Sequence, residues 1–265
     1  MRLVFLGSPE AAVPSLEALV VAGHEVELVV TQPDRRRGRG SGLIPTPVKA
    51  AALHHGLAVT DRVDDVLGID AELGVVVAYG KIIKPHVLDV LPMVNVHFSL
   101  LPRWRGAAPV ERAILAGDAT TGVCLMRVDV GLDTGDVFAR HEIAIDDEIN
   151  VTDLTARLAD VGAGLLVARL RDGLGDGEPQ NGEPIYAAKV DPAELQLDLT
   201  RPAEDLVRVV RLGRAWTTAN GKRLIIWRAR AVEGQFEPIE VQPDGKGRMS
   251  ARDWVRGVGP VELGT

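Results

Sequence analysis

The sequence predicts an α/β fold: a Rossmann-like, mostly parallel sheet with helices on both faces, followed by a small C-terminal β-rich domain. The first observation is an alternation. Runs rich in Val, Leu and Ile at 4–6, 25–31, 73–78, 94–98 and 123–128 are interleaved with helical patterns at 10–21, 48–55 and 109–116. Near-continuous apolar strands separated by helices are buried on both sides, which is the habit of a parallel sheet. The second is length, since 265 residues exceed one ordinary core. The expected division is a first domain at 1–172, a linker at 173–201 and a reduced domain at 202–265.

Met1-Arg2-Leu3-Val4-Phe5-Leu6 reads as a buried first strand, too short for a signal peptide. Ser8 followed by Pro9 predicts a helix start, with Ser8 as cap, and Gly23 ends that helix before the second strand. Gly7-Ser8-Pro9-Glu10 occupies the place of a dinucleotide-binding loop but lacks its glycine pattern, and Glu10 would repel a pyrophosphate. Residues 151–170 read as a long helix and the glycine-rich stretch 173–182 as linker. A helix at 202–212, strands at 224–229 and 236–241, and a late helix at 251–255 capped by Ser250 complete the pattern.

Hydrophobic content of 46% and charged content of 25% are those of an ordinary globular chain. No apolar run approaches the roughly 18–20 residues that span a bilayer, so no membrane partner is expected. A single cysteine, Cys124, excludes an intrachain disulfide and reads as a small core residue rather than a nucleophile. These features point to the cytosol. A net charge of −7 argues against simple coating of nucleic acid but leaves room for a local basic contact. The densest positive cluster is Arg35-Arg36-Arg37-Gly38-Arg39-Gly40.

The most informative segment is Val94-Asn95-Val96-His97-Phe98-Ser99-Leu100-Leu101-Pro102. Side chains alternate along a strand, so Asn95, His97 and Ser99 share one face. At the carboxyl end of a parallel sheet, where ligands bind, an amide beside an imidazole can hold a carbonyl oxygen and exchange a proton. The same residues also fit a core histidine bonded to its neighbour, and the strand alone leaves both readings open. Asp129-Val130-Gly131-Leu132-Asp133-Thr134-Gly135-Asp136 follows another strand. It is either an ordinary turn or a source of a carboxylate for His97, which would favour the imidazolium and general acid work. EF-hand spacing is absent, so no metal is expected.

Asn95, the His97-Phe98-Ser99-Leu100-Leu101-Pro102 run and Asp133-Thr134-Gly135-Asp136 together resemble the signature of the 10-formyltetrahydrofolate-dependent formyltransferases. Members of that superfamily act on glycinamide ribonucleotide, on sugar amines or on methionyl-tRNA. Three further segments resemble the methionyl-tRNA branch: Arg103-Trp104-Arg105-Gly106-Ala107-Ala108-Pro109, Val76-Val77-Ala78-Tyr79-Gly80, and Thr31-Gln32-Pro33-Asp34 leading through Gly38-Arg39-Gly40 to Pro45-Thr46-Pro47-Val48-Lys49. The resemblance runs from Met1 to about Arg171.

The resemblance implies formyl transfer to an amine with Asn95, His97 and Asp133 as catalytic residues and 10-formyltetrahydrofolate as co-substrate, without a metal. It implies that folate lies along Tyr79, Gly80, Lys81, Ile82 and Ile83, and along Ser99, Leu100, Leu101, Pro102 and Asp133. It also implies initiator methionyl-tRNA as partner, met by Arg35, Arg36, Arg37, Arg39 and Lys49. Arg36 and Arg37 depart from the commoner filling of that loop, which also fits a plain solvated loop.

The second domain of the family is an oligonucleotide-binding barrel, and here it looks curtailed. Leu224-Ile225-Ile226-Trp227-Arg228-Ala229 resembles an early strand and Val241-Gln242-Pro243-Asp244-Gly245-Lys246 a late turn, with only 230–240 between. The alternatives are a formyltransferase of a small amine and a folate or tRNA binder without catalysis, the latter opposed by the intact Asn95, His97 and Asp133 set.

Overall fold

The computed structural model describes residues 1–36, 42–259 and 261–264. The chain divides into two compact units, Met1–Pro109 with Thr120–Ile143 and Thr155–Ala187, and Val110–Ala119 with Ala144–Leu154 and Ala188–Thr265. In chain order the first half carries β1 (Arg2–Gly7), α1 (Val13–Val21), β2 (Glu25–Val30), β3 (Arg35–Arg36), β4 (Leu43–Ile44), α2 (Pro47–His54), β5 (Val59–Thr60), β6 (Leu73–Val77), α3 (Pro85–Leu88), β7 (Met93–His97) and β8 (Arg105–Gly106). Then follow α4 (Pro109–Ala116), β9 (Thr120–Arg127), β10 (Val137–Ala144), α5 (Val151–Asp172) and β11 (Tyr186–Ala187).

The large sheet has the order β10-β9-β7-β6-β1-β2-β5. β1 pairs in parallel with β2 and β6, β6 with β7 and β2 with β5, while β9 runs antiparallel to β7. The mostly parallel expectation therefore holds. Strand β10 has no counterpart in the sequence reading, because its exposed Arg140-His141-Glu142 interrupts the apolar run that marked the others.

Both faces are covered. Val4, Leu6, Val76 and Met93 pack with Val66 and Val87, the latter from α3. On the opposite face Val96 meets α5 at Gly162, where an added Cβ would lie 2.7 Å from Val96 Cγ1. Met93, Asn95 and His97 share a strand face, so the polar pair continues the apolar face of Met93 toward the carboxyl end of the sheet.

The helix start differs from expectation. A 3-10 turn at Glu10–Ala12 precedes α1, whose cap position is Ala12, without a side-chain cap bond at either. Ser8 is engaged elsewhere: its Oγ accepts from the Gln32 N–H at 3.1 Å and from Thr31 Oγ1 at 3.3 Å. The hydroxyl ties the end of β1 to the end of β2 instead of capping. Gly23 ends the helix as predicted, at φ 79°.

The second unit contains α6 (Ala203–Arg211) and an antiparallel sheet in the order β12 (Ala215–Ala219), β13 (Lys222–Val232), β14 (Gln235–Pro243) and β15 (Met249–Ser250), followed by α7 (Ala251–Val258). Ser250 caps α7, its Oγ accepting from Asp253 N–H at 3.1 Å. Leu206, Val209 and Val210 of α6 pack on Leu224, Ile226 and Val241. The stretch 230–240 is not simply lost barrel: β13 and β14 run through it, joined at Glu233-Gly234 with φ 50° and 75°. Asn220-Gly221, at φ 51° and 70°, joins β12 to β13 in the same way. Positive φ at both central residues is the two-residue hairpin whose twist matches the strands. The sheet edge at β12 is partly covered, Leu197 N–H donating to Trp216 O and Gly264 N–H to Thr218 O, each at 2.8 Å. Among the described residues no helix is long and apolar enough to cross a membrane.

Candidate active site

The loop after β7 is built by its own backbone. Ser99 Oγ donates to Arg103 O at 2.6 Å, and Leu101 N–H donates to Cys124 Sγ at 3.4 Å, across a cis Leu101–Pro102 peptide. Cys124 is fully buried and burial pushes its thiol up, so it stands in the core as the sequence suggested. The loop returns Trp104, at φ 62°, with its carbonyl 2.9 Å from His97 Nε2. A carbonyl only accepts, so Nε2 carries a hydrogen.

The other ring nitrogen faces Asp133. His97 Nδ1 and Asp133 Oδ2 are 3.7 Å apart, with side chains only 6% and 15% exposed. The same Oδ2 accepts from Gly106 N–H at 2.8 Å. At 3.7 Å the two groups attract without being hydrogen-bonded. The Nδ1 side of the ring therefore stays available to a third group. Asn95, two residues back on the same face, is partly exposed and makes no side-chain hydrogen bond among the described residues. An amide and an imidazole at a strand's carboxyl end, backed by a carboxylate, can polarise a carbonyl and hold an oxyanion.

The residues expected to meet folate fall into two groups. Tyr79, Ile83, Ser99 and Leu101 are buried, while Leu100 and Pro102 are half-buried. Gly80, Lys81 and Ile82 are exposed, Ile82 at 85%. The Tyr79 carbonyl accepts from Gln32 Nε2 at 3.1 Å, and its hydroxyl is buried with no partner among the described residues. Burial, and secondarily the charge of Asp61, pushes that phenol up. Tyr79 follows Ala78 at φ 46° and precedes Gly80 at φ 77°. This sharp turn ends β6 next to β1, where the strand order reverses and open α/β sheets bind ligands.

Of the expected tRNA contacts, Arg35 and Arg36 are exposed on β3, which pairs with β4. Arg37 and Arg39 lie outside the described residues. Lys49 Nζ is held by both oxygens of Asp34, at 2.9 and 2.8 Å.

Sequence reasoning passed over Gln180, which sits in the stretch read as linker. Arg105 donates to its Oε1 through Nε at 3.0 Å and through an η nitrogen at 2.7 Å. Its Nε2 donates to Asp133 O at 2.9 Å and to Gly135 O at 2.8 Å. No periodicity or spacing marks such a residue, because every partner is distant along the chain.

A model of the family described as formyl transferase matches residues 1–170. A methionyl-tRNA formyltransferase of Symbiobacterium thermophilum is 42% identical over 309 aligned positions, covering 100% of this chain and 94% of the relative. Among solved structures, a methionyl-tRNA formyltransferase from Clostridium thermocellum is similar with a TM-score of 0.68 at 16% identity, covering 93% of this chain and 100% of that one. HypX from Aquifex aeolicus in complex with tetrahydrofolic acid is similar with a TM-score of 0.67 at 15% identity, over 98% of this chain and 47% of that one. At these identities the two structures speak for the fold alone.

Proposed function

The chain belongs to the formyl transferase family, and from that premise we propose that it transfers the formyl group of 10-formyltetrahydrofolate to the amino group of initiator methionyl-tRNA. The family membership supports the reaction, and the relatives' names support the acceptor. The observation that carries the site assignment is the His97 ring, anchored at Nε2 by the Trp104 carbonyl and paired at Nδ1 with Asp133.

In this reading the methionyl amine attacks the formyl carbon, the carbonyl π bond opens and an oxyanion develops. Asn95 and the Nδ1–H of protonated His97 hold that oxygen, a role worth about 3–4 kcal/mol per donor in a water-poor site. Asp133 sustains the imidazolium and takes the amine proton through a water. The oxyanion then re-forms the carbonyl, the bond from the formyl carbon to the folate nitrogen breaks as that nitrogen takes back the proton held by Asp133 through the water, and formyl-methionyl-tRNA leaves. Folate lies along 79–83 and 99–102, its pterin against apolar surface. Arg35, Arg36, Arg37 and Arg39 meet tRNA phosphates and base edges.

The test is to incubate the protein with 10-formyltetrahydrofolate and charged initiator tRNA, and in parallel with amino sugars. Formyl-methionyl-tRNA is the expected product. Turnover of an amino sugar with no formylated tRNA would sink the reading.

A further inference from the structure

We propose that Gln180 is a positioning residue for formyl transfer, a clamp that fixes the backbone of Asp133 so that its carboxylate faces His97. The inference rests on the reading of the site given above and adds a residue outside the catalytic set.

All four hydrogen-bonding positions of the Gln180 amide are filled. Its oxygen meets a guanidinium, which only donates, and its nitrogen meets two carbonyls, which only accept. The amide orientation is therefore dictated by its surroundings, because a flip would set donor against donor and acceptor against acceptor. Gln180 joins two loops that are otherwise far apart in sequence, the one after β7 through Arg105 and the one after β9 through Asp133 and Gly135.

Those carbonyls matter because Asp133 sits at φ 50°, a left-handed conformation that residues with a Cβ rarely adopt. Gly135 is closely set as well: an added Cβ would lie 2.2 Å from Arg127 O. The turn is thus held on both sides of the reactive carboxylate. From there Asp133 Oδ2 reaches Gly106 N–H at 2.8 Å and faces His97 Nδ1 at 3.7 Å. Two restraints aim the carboxylate: Gly106 on its oxygen, Gln180 on its backbone.

The segment carrying Gln180 is itself pinned. Glu178 and Val137 exchange backbone bonds at 2.9 and 2.8 Å, and Ile185 O accepts from Arg105 N–H at 2.9 Å. Those backbone ties survive a change of the Gln180 side chain, so loss of the amide frees the Asp133 turn without releasing the segment.

The experiment compares Gln180→Glu and Gln180→Met with the parent. Glutamate keeps an acceptor for Arg105 but sets an oxygen against the two carbonyls, and methionine keeps the shape alone. Each protein is assayed for Tm, for kcat, and for KM toward 10-formyltetrahydrofolate and methionyl-tRNA. The expected result is a fall in kcat of about 10- to 100-fold in both variants, with both KM values within about twofold and the melting transition intact, since misplacing a reacting group by about 1 Å has that effect. Parent-like kcat in Gln180→Glu would overturn the clamp, as would a loss confined to Tm or to KM. If the parent itself transfers no formyl group, the proposed function fails separately. The clamp is then judged from crystal structures of parent and Gln180→Met: it stands if the Asp133–His97 separation lengthens and falls if it is unchanged.

Discussion

Asp133 Oδ2 lies 3.7 Å from His97 Nδ1 while accepting a hydrogen bond from Gly106 N–H, so one oxygen serves both the loop and the imidazole. Asp133→Asn can keep the Gly106 bond through its amide oxygen and loses only the charge. In this variant kcat falls by up to about 10⁴-fold, the loss seen when a carboxylate that sustains an imidazolium is neutralised, and the KM for 10-formyltetrahydrofolate changes little. Single-turnover formylation with excess enzyme measures it. A loss below about tenfold would make the carboxylate a loop staple rather than part of the chemistry.

Lys49 and Asp34 make a two-oxygen contact with side chains 31% and 26% exposed, at the base of the β3–β4 hairpin. A cation so engaged ties β2's exit to α2. Asp34→Asn and Lys49→Met should therefore act alike, each destabilising by about 0.5–1 kcal/mol and raising KM for tRNA with kcat retained. If Lys49 met phosphate directly, freeing its charge in Asp34→Asn would instead lower KM. Urea titrations and tRNA saturation curves decide between the two.

The large sheet was legible because its strands are buried on both sides and therefore spelled as unbroken apolar runs, from Leu3–Leu6 to Val123–Met126. Asn95 and His97 could be placed on one face by alternation alone. Gln180 could not, since its partners stand 47 and 75 residues away and nothing local encodes them. Ser8 misled because a serine before proline fits a helix cap, whereas here a tertiary bond to β2 claims the hydroxyl. In the C-terminal unit, Asn220-Gly221 between Ala215–Ala219 and Lys222–Val232 is a strong local hairpin signal, outside the strands expected at 224–229 and 236–241.

Arg112 and Glu194 form a two-point ion pair, Nη1 to Oε2 at 2.7 Å and Nη2 to Oε1 at 2.9 Å. The Arg112 hydrogen bond, with help from Asp191 N–H, holds the Glu194 carboxyl below its ordinary range. A carboxylate whose folded value is depressed adds stability above its unfolded value and loses it as pH falls through the lowered folded value. Glu194→Gln should therefore cost under about 1 kcal/mol at pH 7, since the carboxylate is 39% exposed and screened by water. The Tm gap to the parent should close as pH drops below the carboxylate range. A gap constant in pH would assign the effect to packing.

Gly162 of α5 lies behind β7, where an added Cβ would stand 2.7 Å from Val96 Cγ1 and 3.4 Å from Val123 Cγ1. Two effects compete in Gly162→Ala. Helix propensity favours alanine by about 1 kcal/mol, while overpacking a filled interior costs about 1–3 kcal/mol. Val96 is buried between Asn95 and His97 and has little room to yield, so the cost should win and Tm should fall. The strain also falls on the strand that carries both polar groups, so kcat should drop in the folded variant. Val96→Ala removes the opposing methyls, and in Gly162→Ala/Val96→Ala the interaction should be favourable by about 1 kcal/mol in a double-mutant cycle. Simple additivity of the two losses would show that the helix shifts away freely, and that the close approach at Gly162 does not position the strand.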